Sequence, residues 1–461
     1  MVMEVIGIGI IIGLALWAGY DLSQKKHAIL RNFPIVGHFR YWLETIGPEL
    51  RQYIVTSNNE ERPFSRDQRR WVYASSKKEN NYFGFGTDEE MENAPNYMIL
   101  KHNAFPKLAP IPGSPEYDPN YPIPAMKVLG GFRQRQHAFR PQSIVNVSGM
   151  SFGSLSGPAV AAINGGVKIA GCLQNSGEGG LSRYHLQGGD LIFQIGTAYF
   201  GCRDDNGRFN LARLKERIER FPVKAIEVKL SQGAKPGAGG LLPAAKITPE
   251  LAEARGIPLG KDCASTASHR EFHNVDGMLD FIEHIASETG LPVGIKLAVG
   301  DMHFWTELAE AMVKDSGRAP DYIAIDGGEG GTGAAPLVFS DHVAYPFRVG
   351  FAKVYKTFKE RELDQRVVFA GAGKLGWPEN AIFALAQGCD LINIARSAML
   401  AIGCIQAQRC HTNHCPTGVA TQNKWLIRGL DPTSKAERLA NYIVTLRKEI
   451  TLLTYACGYD H

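Results

Sequence analysis

Net charge is nearly absent from this sequence. Its 50 Lys and Arg stand against 46 Asp and Glu, leaving +4 over 461 residues with no Lys/Arg block. A nucleic-acid surface needs a concentrated basic footprint, so nucleic acid is not an expected partner. Cysteine is scarce, at eight residues, and a chain this large needs no disulfide framework. No G-x-G-x-x-G in a strand–helix context reads as a nicotinamide site. Long apolar runs are lacking too, with one exception at the N-terminus. With 44% hydrophobic and 21% charged residues, the chain is neither disordered nor fibrous.

The exception is VIGIGIIIGLALWAGY, Val5 to Tyr20, which carries no charge. As a helix it would cover about 24 Å, close to a hydrocarbon core of about 30 Å. A signal peptide would want a basic start, but Glu4 is the only charge before the run, and no small-x-small cleavage site follows. A buried core helix is the other alternative. Lys25, Lys26 and Arg31 follow the run, so by the positive-inside rule the expectation is a single-pass anchor in the inner, cytoplasmic membrane with the bulk of the chain cytoplasmic. Trp17 and Tyr20 would then lie at the interface. Residues 35–55 mix aromatics with Arg40 and Arg51, which suits an interfacial amphipathic helix or a helix packed on the main domain. Residues 56–90 read as a polar connector, and 92–142, rich in Pro, Tyr and Asn, as an extended wrapping segment.

From Ser143 one pattern repeats: a short apolar run, a Gly-rich loop, then a helical stretch. Eight such runs occur, at Ser143–Val147, Ala170–Leu173, Leu191–Ile195, Ala225–Leu230, Val293–Leu297, Tyr322–Ile325, Val367–Ala370 and Leu391–Ile394. Helical stretches at 156–170, 211–220, 276–289, 303–315, 345–360 and 378–387 fall between many of them. Strand–helix alternation implies parallel βαβ units, and eight units in this length predict an α/β fold, the (β/α)8 TIM barrel. A doubly wound sheet would not explain glycine after nearly every strand. In a barrel those loops converge on the C-terminal face, where active sites lie. The expected organisation is an anchor at 1–24, a juxtamembrane and wrapping segment at 25–124, the barrel at 125–430 and a helical tail at 431–461.

The loops after the seventh and eighth runs, Ala370-Gly371-Ala372-Gly373 and Ala395-Arg396-Ser397, stand where barrels cradle phosphate, with DGGEGGTG (326–333) nearby. A phosphorylated ligand or cofactor is one reading, and tight turns alone the other. Lys296 ends a strand, where a buried ammonium must be paired or functional; a reduced flavin would offer it negative charge. Asn164, Gln194 and Lys229 are further polar groups nearby. Glu178, Gln232, Lys235 and Arg255 form a second set suited to an anionic substrate. Three cysteines, Cys404, Cys410 and Cys415, crowd into one loop with Pro416 after them. They suit an iron–sulfur cluster, of three irons because no fourth cysteine is present in the loop, while His411 and His414 leave zinc as the rival.

Five stretches, GMSFGSLS (149–156), NSGEGG (175–180), IEVKLSQGAKPGAGG (226–240), IDGGEGGTGAAP (325–336) and GCIQAQRCHTNHCPTGVATQ (403–422), resemble the central and FMN domains of glutamate synthases, in order over roughly 125–430. The resemblance implies a (β/α)8 barrel carrying FMN and a [3Fe–4S] cluster, and reduction of 2-iminoglutarate, formed from 2-oxoglutarate and ammonia. Carried over, the cluster ligands are Cys404, Cys410 and Cys415. The FMN contacts include Met150, Ser151, Asn164, Gln194, Lys296, Gly328, Gly371, Gly373, Ala395 and Arg396, with Lys229, Gln232, Asp326 and Gly327 added. Lys235 and Arg255 would hold 2-oxoglutarate, with Glu178 and Met150 lining the site, and Glu178, Lys235 and Arg255 are the expected catalytic set.

Two departures bear on the substrate: Leu241 stands where the family has Gln, and Ser265-Thr266-Ala267-Ser268-His269-Arg270 replaces a Pro-rich stretch ending in two His. The full enzymes add a glutaminase domain and a glycine-repeat domain that this sequence does not contain. The expectation is therefore ammonia or an amine from outside, with a separate amidotransferase as one source. The electron partner would be a ferredoxin, a reductase or a quinone. Two alternatives stay open, an amine or amino-acid dehydrogenase feeding a membrane quinone and a non-catalytic electron-transfer subunit.

Overall fold

A computed structural model describes residues 2–24, 27–55, 61–82, 84–87 and 89–461. The chain divides into two compact units, Met1–Gln68 and Arg69–His461.

The first unit is helical: Val2–Ser23, Ala28–Asn32, Gly37–Leu50 and a π-helical turn, Arg51–Val55. Helix Val2–Ser23 is long and apolar enough to cross a membrane, with a mean hydropathy of 2.1, and its apolar window is unburied. That excludes the buried core helix. At its end Asp21 is buried and accepts from the Ile35 amide (2.8 Å) while contacting His38 Nε2 (2.9 Å), so the chain folds back on itself. Trp17 Nε1 reaches the same His38 ring nitrogen at 3.1 Å. Phe33 and Val36 in the turn, and Phe39, Trp42 and Leu43 on the helix that follows it, stay exposed as one apolar stretch. Lys25 and Lys26, which carry part of the orientation argument, lie outside the described residues.

In the second unit the expected barrel closes. Strands β1 (Val145–Val147), β2 (Leu173–Asn175), β3 (Asp190–Ile195), β4 (Val223–Lys229), β7 (Val293–Ala298), β8 (Tyr322–Asp326), β9 (Val368–Ala372) and β10 (Leu391–Ile394) are all parallel, in the circular order β1-β10-β9-β8-β7-β4-β3-β2. Between β4 and β7 an excursion carries a two-stranded antiparallel pair, β5 (Leu241–Leu242) and β6 (Cys263–Ala264). The second strand starts later than the sequence suggests. Ala170 closes the preceding helix, and Gly171 caps it in the left-handed region (φ 66°).

The barrel interior changes character along its axis because side chains alternate by two along every strand. At the N-terminal end Leu173, Ile192, Ala225, Tyr322, Val368 and Leu391 form an apolar floor over Ala125 and Leu129. Tyr322 fits because its neighbour across the strand pair is small: a Cβ on Gly294 would lie 2.4 Å from the ring. One or two pleats higher the same faces carry Asn175, Gln194, Glu227, Lys229, Lys296 and Asp326. Below the floor, residues 123–143 plug the barrel, bolted by Arg133 and Arg135 on the buried Asp321 (3.3 and 3.0 Å), by Arg135 on Glu283 (2.6 Å) and by Lys127 on Asp390 (2.9 Å).

Two segments have a larger role than their sequence suggests. Helix Pro432–Ala456 packs against helices Gly157–Ala170 and Pro378–Ala386 and completes the helical ring, rather than trailing as a tail. Its buried Arg447 donates to the Ala170 and Asn120 carbonyls, both at 2.8 Å. Within the polar stretch read as a connector, Arg66–Lys77 is a helix. Trp71 of this helix meets Tyr442 edge-on and donates to Glu449, so tertiary burial organises a segment whose composition is polar.

Candidate active site and cysteine loop

The C-terminal mouth of the barrel gathers most of the polar residues singled out from the sequence. On its wall Glu227, buried in β4, accepts from Gln194 Nε2 (2.6 Å) and Asn175 Nδ2 (2.8 Å). Glu227 escaped the sequence reading, although the alternation Ala225, Glu227, Lys229 marks it as inward-facing. Above it Lys296 lies 3.7 Å from Asp326 and 3.4 Å from Ser148 Oγ. Burial would depress the Lys296 ammonium, but Asp326, Glu227 and Glu178 outweigh that and hold its pKa above the ordinary lysine value.

Beside this wall is a small cavity lined by Glu178, Thr197, Lys229, Gln232, Lys235 and the 237–240 and 265–267 loops. Lys229 Nζ bridges Glu178 (3.2 Å) and Gln232 (2.7 Å). Lys235 Nζ donates to the Gly239 carbonyl at 3.2 Å, and burial lowers its pKa against the pull of Glu178. Glu178 would be raised by burial, but Lys229, Lys235 and Arg255 keep it below the usual carboxylate value. The cavity is thus an anion-accepting corner with one carboxylate shared among several cations.

Arg255 stands apart from that lining. Its guanidinium donates to the Phe152 carbonyl (3.2 Å) and lies over the Phe200 ring (5.0 Å), so it supports the site from behind. The replaced 265–270 segment closes the cavity. Thr197 Oγ1 donates to the Thr266 carbonyl (2.6 Å), and Ser265 Oγ accepts from the Gly240 amide (2.7 Å). His269 is wedged between Tyr199 OH (3.1 Å) and the Lys229 carbonyl (2.9 Å), stacked on Phe272. Leu241 is exposed and does not line the cavity.

Other expected site residues fall elsewhere or serve differently. Asn164 is not at the mouth. Its amide bonds Gln174 (2.9 Å) and the backbone of Gln187 and Gly189 at the N-terminal start of β3, which spends it on packing. Gly371 faces the helical layer, where a Cβ would strike Phe347 and Cys389 at 2.7–2.8 Å. The Gly327 and Gly328 amides already donate to the Ala372 and Tyr345 carbonyls, at 2.7 and 2.8 Å. Gly371 is thus fitted against the helical layer, and the Gly327 and Gly328 amides are paired within the protein. Gly373 follows β9 with φ 149°, and Ala395 precedes Arg396 at the end of β10. Arg396 donates to the Glu329 carbonyl and lies under Gly331; burial lowers its pKa against the pull of Asp326 and Glu329. Met150 and Ser151 occupy the turn after β1, so close to Gly177 that a Cβ there would lie 2.6 Å from the Ser151 nitrogen. Gly233 is equally confined, its absent Cβ 1.8 Å from the Gly327 oxygen, while its amide donates to Asp326 at 3.0 Å.

The cysteine loop follows β10 as expected, and Cys404, Cys410 and Cys415 line one small cavity with Met399, Ile405 and Val419. Gln406, Gln408 and Asn413 adopt positive φ, turning the loop around that cavity. Burial pushes the Cys404 thiol up to about 12 and raises Cys410 as well, so these two would persist as thiolates only against a bound cation. Among the described residues no three His, Cys, Asp or Glu side chains are gathered tightly enough for a single metal ion. The lining of the cavity offers three cysteines and no histidine, a donor set of the kind an iron–sulfur cluster uses.

Residues 128–460 match the family of the conserved region in glutamate synthase. The glutamate synthase large subunit-like protein YerD of Bacillus subtilis is 39% identical over 471 residues, covering 95% of this chain and 89% of that protein. The archaeal glutamate synthase (NADPH) of Methanocaldococcus jannaschii is 34% identical over 321 residues, covering 68% of this chain; this chain spans 59% of that protein's length. Among solved structures, a mutant flavocytochrome b2 with pyruvate bound covers 97% of this chain and 88% of its own at 13% identity, with a TM-score of 0.44. Mandelate oxidase with (S)-4-hydroxymandelic acid covers 70% of this chain and 78% of its own at 15% identity and a TM-score of 0.42. Likenesses that distant carry no argument, and the barrel rests on its own strand pairing. The sequence relatives do carry one: the chain belongs to the glutamate synthase family of oxidoreductases.

Proposed function

We propose that this protein is an FMN and iron–sulfur oxidoreductase that reductively aminates a 2-oxo acid, 2-oxoglutarate being the first candidate, with ammonia or an amine supplied from outside. The observation that carries the reading is the Glu178–Lys229–Lys235 corner beside Lys296 at one barrel mouth, a place for a carboxylate next to a place for a reducible ring. Bound FMN would supply a hydride, and a [3Fe–4S] cluster on Cys404, Cys410 and Cys415 would supply single electrons. Lys235 holds a substrate carboxylate. Glu178 holds Lys229 in place and offsets part of the cost of burying the Lys235 ammonium. Lys296 offers positive charge where a reduced ring would carry negative charge, and Arg396 offers it for a phosphate. Gln194 and Glu227 fix the wall behind the ring. The substrate carbonyl and ammonia lose water to give an imine, which takes up a hydride and a proton to become the amino acid.

The helix Val2–Ser23 and the exposed stretch Phe33, Val36, Phe39, Trp42 and Leu43 support attachment to a membrane, the first spanning it and the second lying in the interface. That favours a second reading, in which the same site oxidises an amine or amino acid and passes electrons to a quinone. Ferredoxin or a reductase would serve the first direction, and a separate amidotransferase would be one source of ammonia.

The two directions are separated by reducing the purified flavin anaerobically and adding 2-oxoglutarate with ammonium. Rapid reoxidation with glutamate identified by mass supports reductive amination. A flavin that stays reduced there, but is reduced from the oxidised state by amines, moves the assignment to the dehydrogenase.

A further inference from the structure

Lys246 ends the short turn Ala244–Lys246 in the excursion between β4 and β7, the same excursion that lends Gly240 and Ser265 to the substrate cavity. Its side chain leaves that cavity behind. Nζ donates to the Cys410 carbonyl at 2.7 Å, inside the cysteine loop. The lysine is buried, and among the described residues no carboxylate forms an ion pair with it. A buried ammonium without a counter-charge is costly, and negative charge gathered by Cys410 and Cys415 is what would offset it. The other side of the loop is held by helix Arg66–Lys77, where Tyr73 OH donates to the Cys404 carbonyl at 2.8 Å and the buried Arg69 lends positive charge toward the Cys404 thiol. A third neighbour, Gly333 of the 326–333 loop, sits against Cys410, where a Cβ would lie 3.1 Å from the cysteine's own. The cysteine loop therefore touches both the substrate excursion and the glycine loop, and Lys246 is the positive charge that reaches it from the excursion, beside Cys410.

We propose that Lys246 is a positioning residue that raises the reduction potential of a cluster held by Cys404, Cys410 and Cys415 and ties the substrate excursion to the cluster loop. The inference rests on the iron–sulfur reading above. Positive charge beside a cluster stabilises its reduced, more negative form, so removing the charge makes reduction harder, and a low local dielectric keeps the effect from being screened away.

The test uses the full-length holoprotein and the variants K246Q and K246R. Iron, acid-labile sulfide and FMN are quantified, and the cluster is titrated anaerobically by electron paramagnetic resonance while the flavin is titrated by absorbance. Expected for K246Q is wild-type FMN content and a cluster potential lowered by about 59 mV, a tenfold change in one-electron distribution. The flavin potential should move far less, and K246R should restore the cluster value. Iron lost from K246Q yet kept by K246R would also support the charge role. An unshifted potential in K246Q overturns the proposal, as does an equal loss of iron from both variants, which would reduce Lys246 to a strut. Wild-type protein that holds FMN but no iron or sulfide overturns the cluster reading first and this inference with it.

Discussion

Lys229 and Lys296 are direct register partners on neighbouring parallel strands, so two ammonium-bearing side chains leave the barrel wall at the same height. Each is answered by its own carboxylate, Lys229 by Glu178 and Lys296 by Asp326. In the proposed function these two pairs separate the corner that takes the substrate from the wall that faces the ring. Breaking one pair should therefore be costly. Glu178→Gln leaves Lys229 and Lys235 without their shared counter-charge, and a loss of about 3–5 kcal/mol in unfolding free energy is expected. The double variant E178Q/K229M should recover at least half of it, measured by urea unfolding.

Lys235 and Arg255 were grouped by sequence as a pair of substrate cations, but only Lys235 lines the cavity. K235Q should raise the KM for the 2-oxo acid about 10- to 100-fold, the worth of one charged hydrogen bond, with little change in Tm. R255A should act chiefly on stability, by about 2–4 kcal/mol, because it strands the Phe152 carbonyl and uncovers Phe200. A normal Tm with a raised KM in R255A would return it to the substrate.

Gly233 has no room for a side chain against the Gly327 carbonyl. G233A should push the 231–240 and 326–333 loops apart and break the Gly233 amide bond to Asp326. Purified G233A is expected to carry less than a tenth of the wild-type flavin, read from absorbance per protein, while far-ultraviolet circular dichroism shows the barrel retained.

His185 and His269 are each held down to about 4 by burial, from 6.5. Both are then neutral in the folded protein at pH values where they would be protonated unfolded. Their contribution is complete above pH 6.5 and is lost as pH falls through 6.5 toward 4, by about 3 kcal/mol for each. Urea midpoints should drop across that window, and the drop should flatten in the H185N/H269N variant.

Membrane attachment makes a physical prediction of its own. The full chain should stay with membranes through a carbonate wash, held by helix Val2–Ser23. Trp42, exposed on the returning helix, should be quenched by lipids brominated near the headgroup more than by lipids brominated deep in the tails. Release into the carbonate supernatant would remove the anchor.

The barrel was legible because its signals are local. Nearly every strand is an apolar run followed by glycine, and helical stretches fall between many of them, so eight units could be counted before any contact was known. The cysteine loop was legible for the same reason, its three thiols lying within twelve residues, Cys404 to Cys415. Alternation could also have revealed Glu227, had Ala225, Glu227 and Lys229 been read as one face. Helix Arg66–Lys77 could not be found that way, since its burial depends on Tyr442 and Glu449, more than 370 positions later.

What the amino-acid sequence determined by itself was the eight barrel strands, their parallel arrangement and the chemistry offered at the strand ends. Only tertiary structure decided how those groups are spent. It gave Asn164 to packing at the far end of β3, turned Gly371 outward to Phe347, set Arg255 behind Phe200 and sent Lys246 from the substrate excursion into the cysteine loop. Strand and helix periods are written within a few residues, whereas the partner of a buried polar group is fixed by whichever distant segment the closed barrel brings within hydrogen-bonding distance.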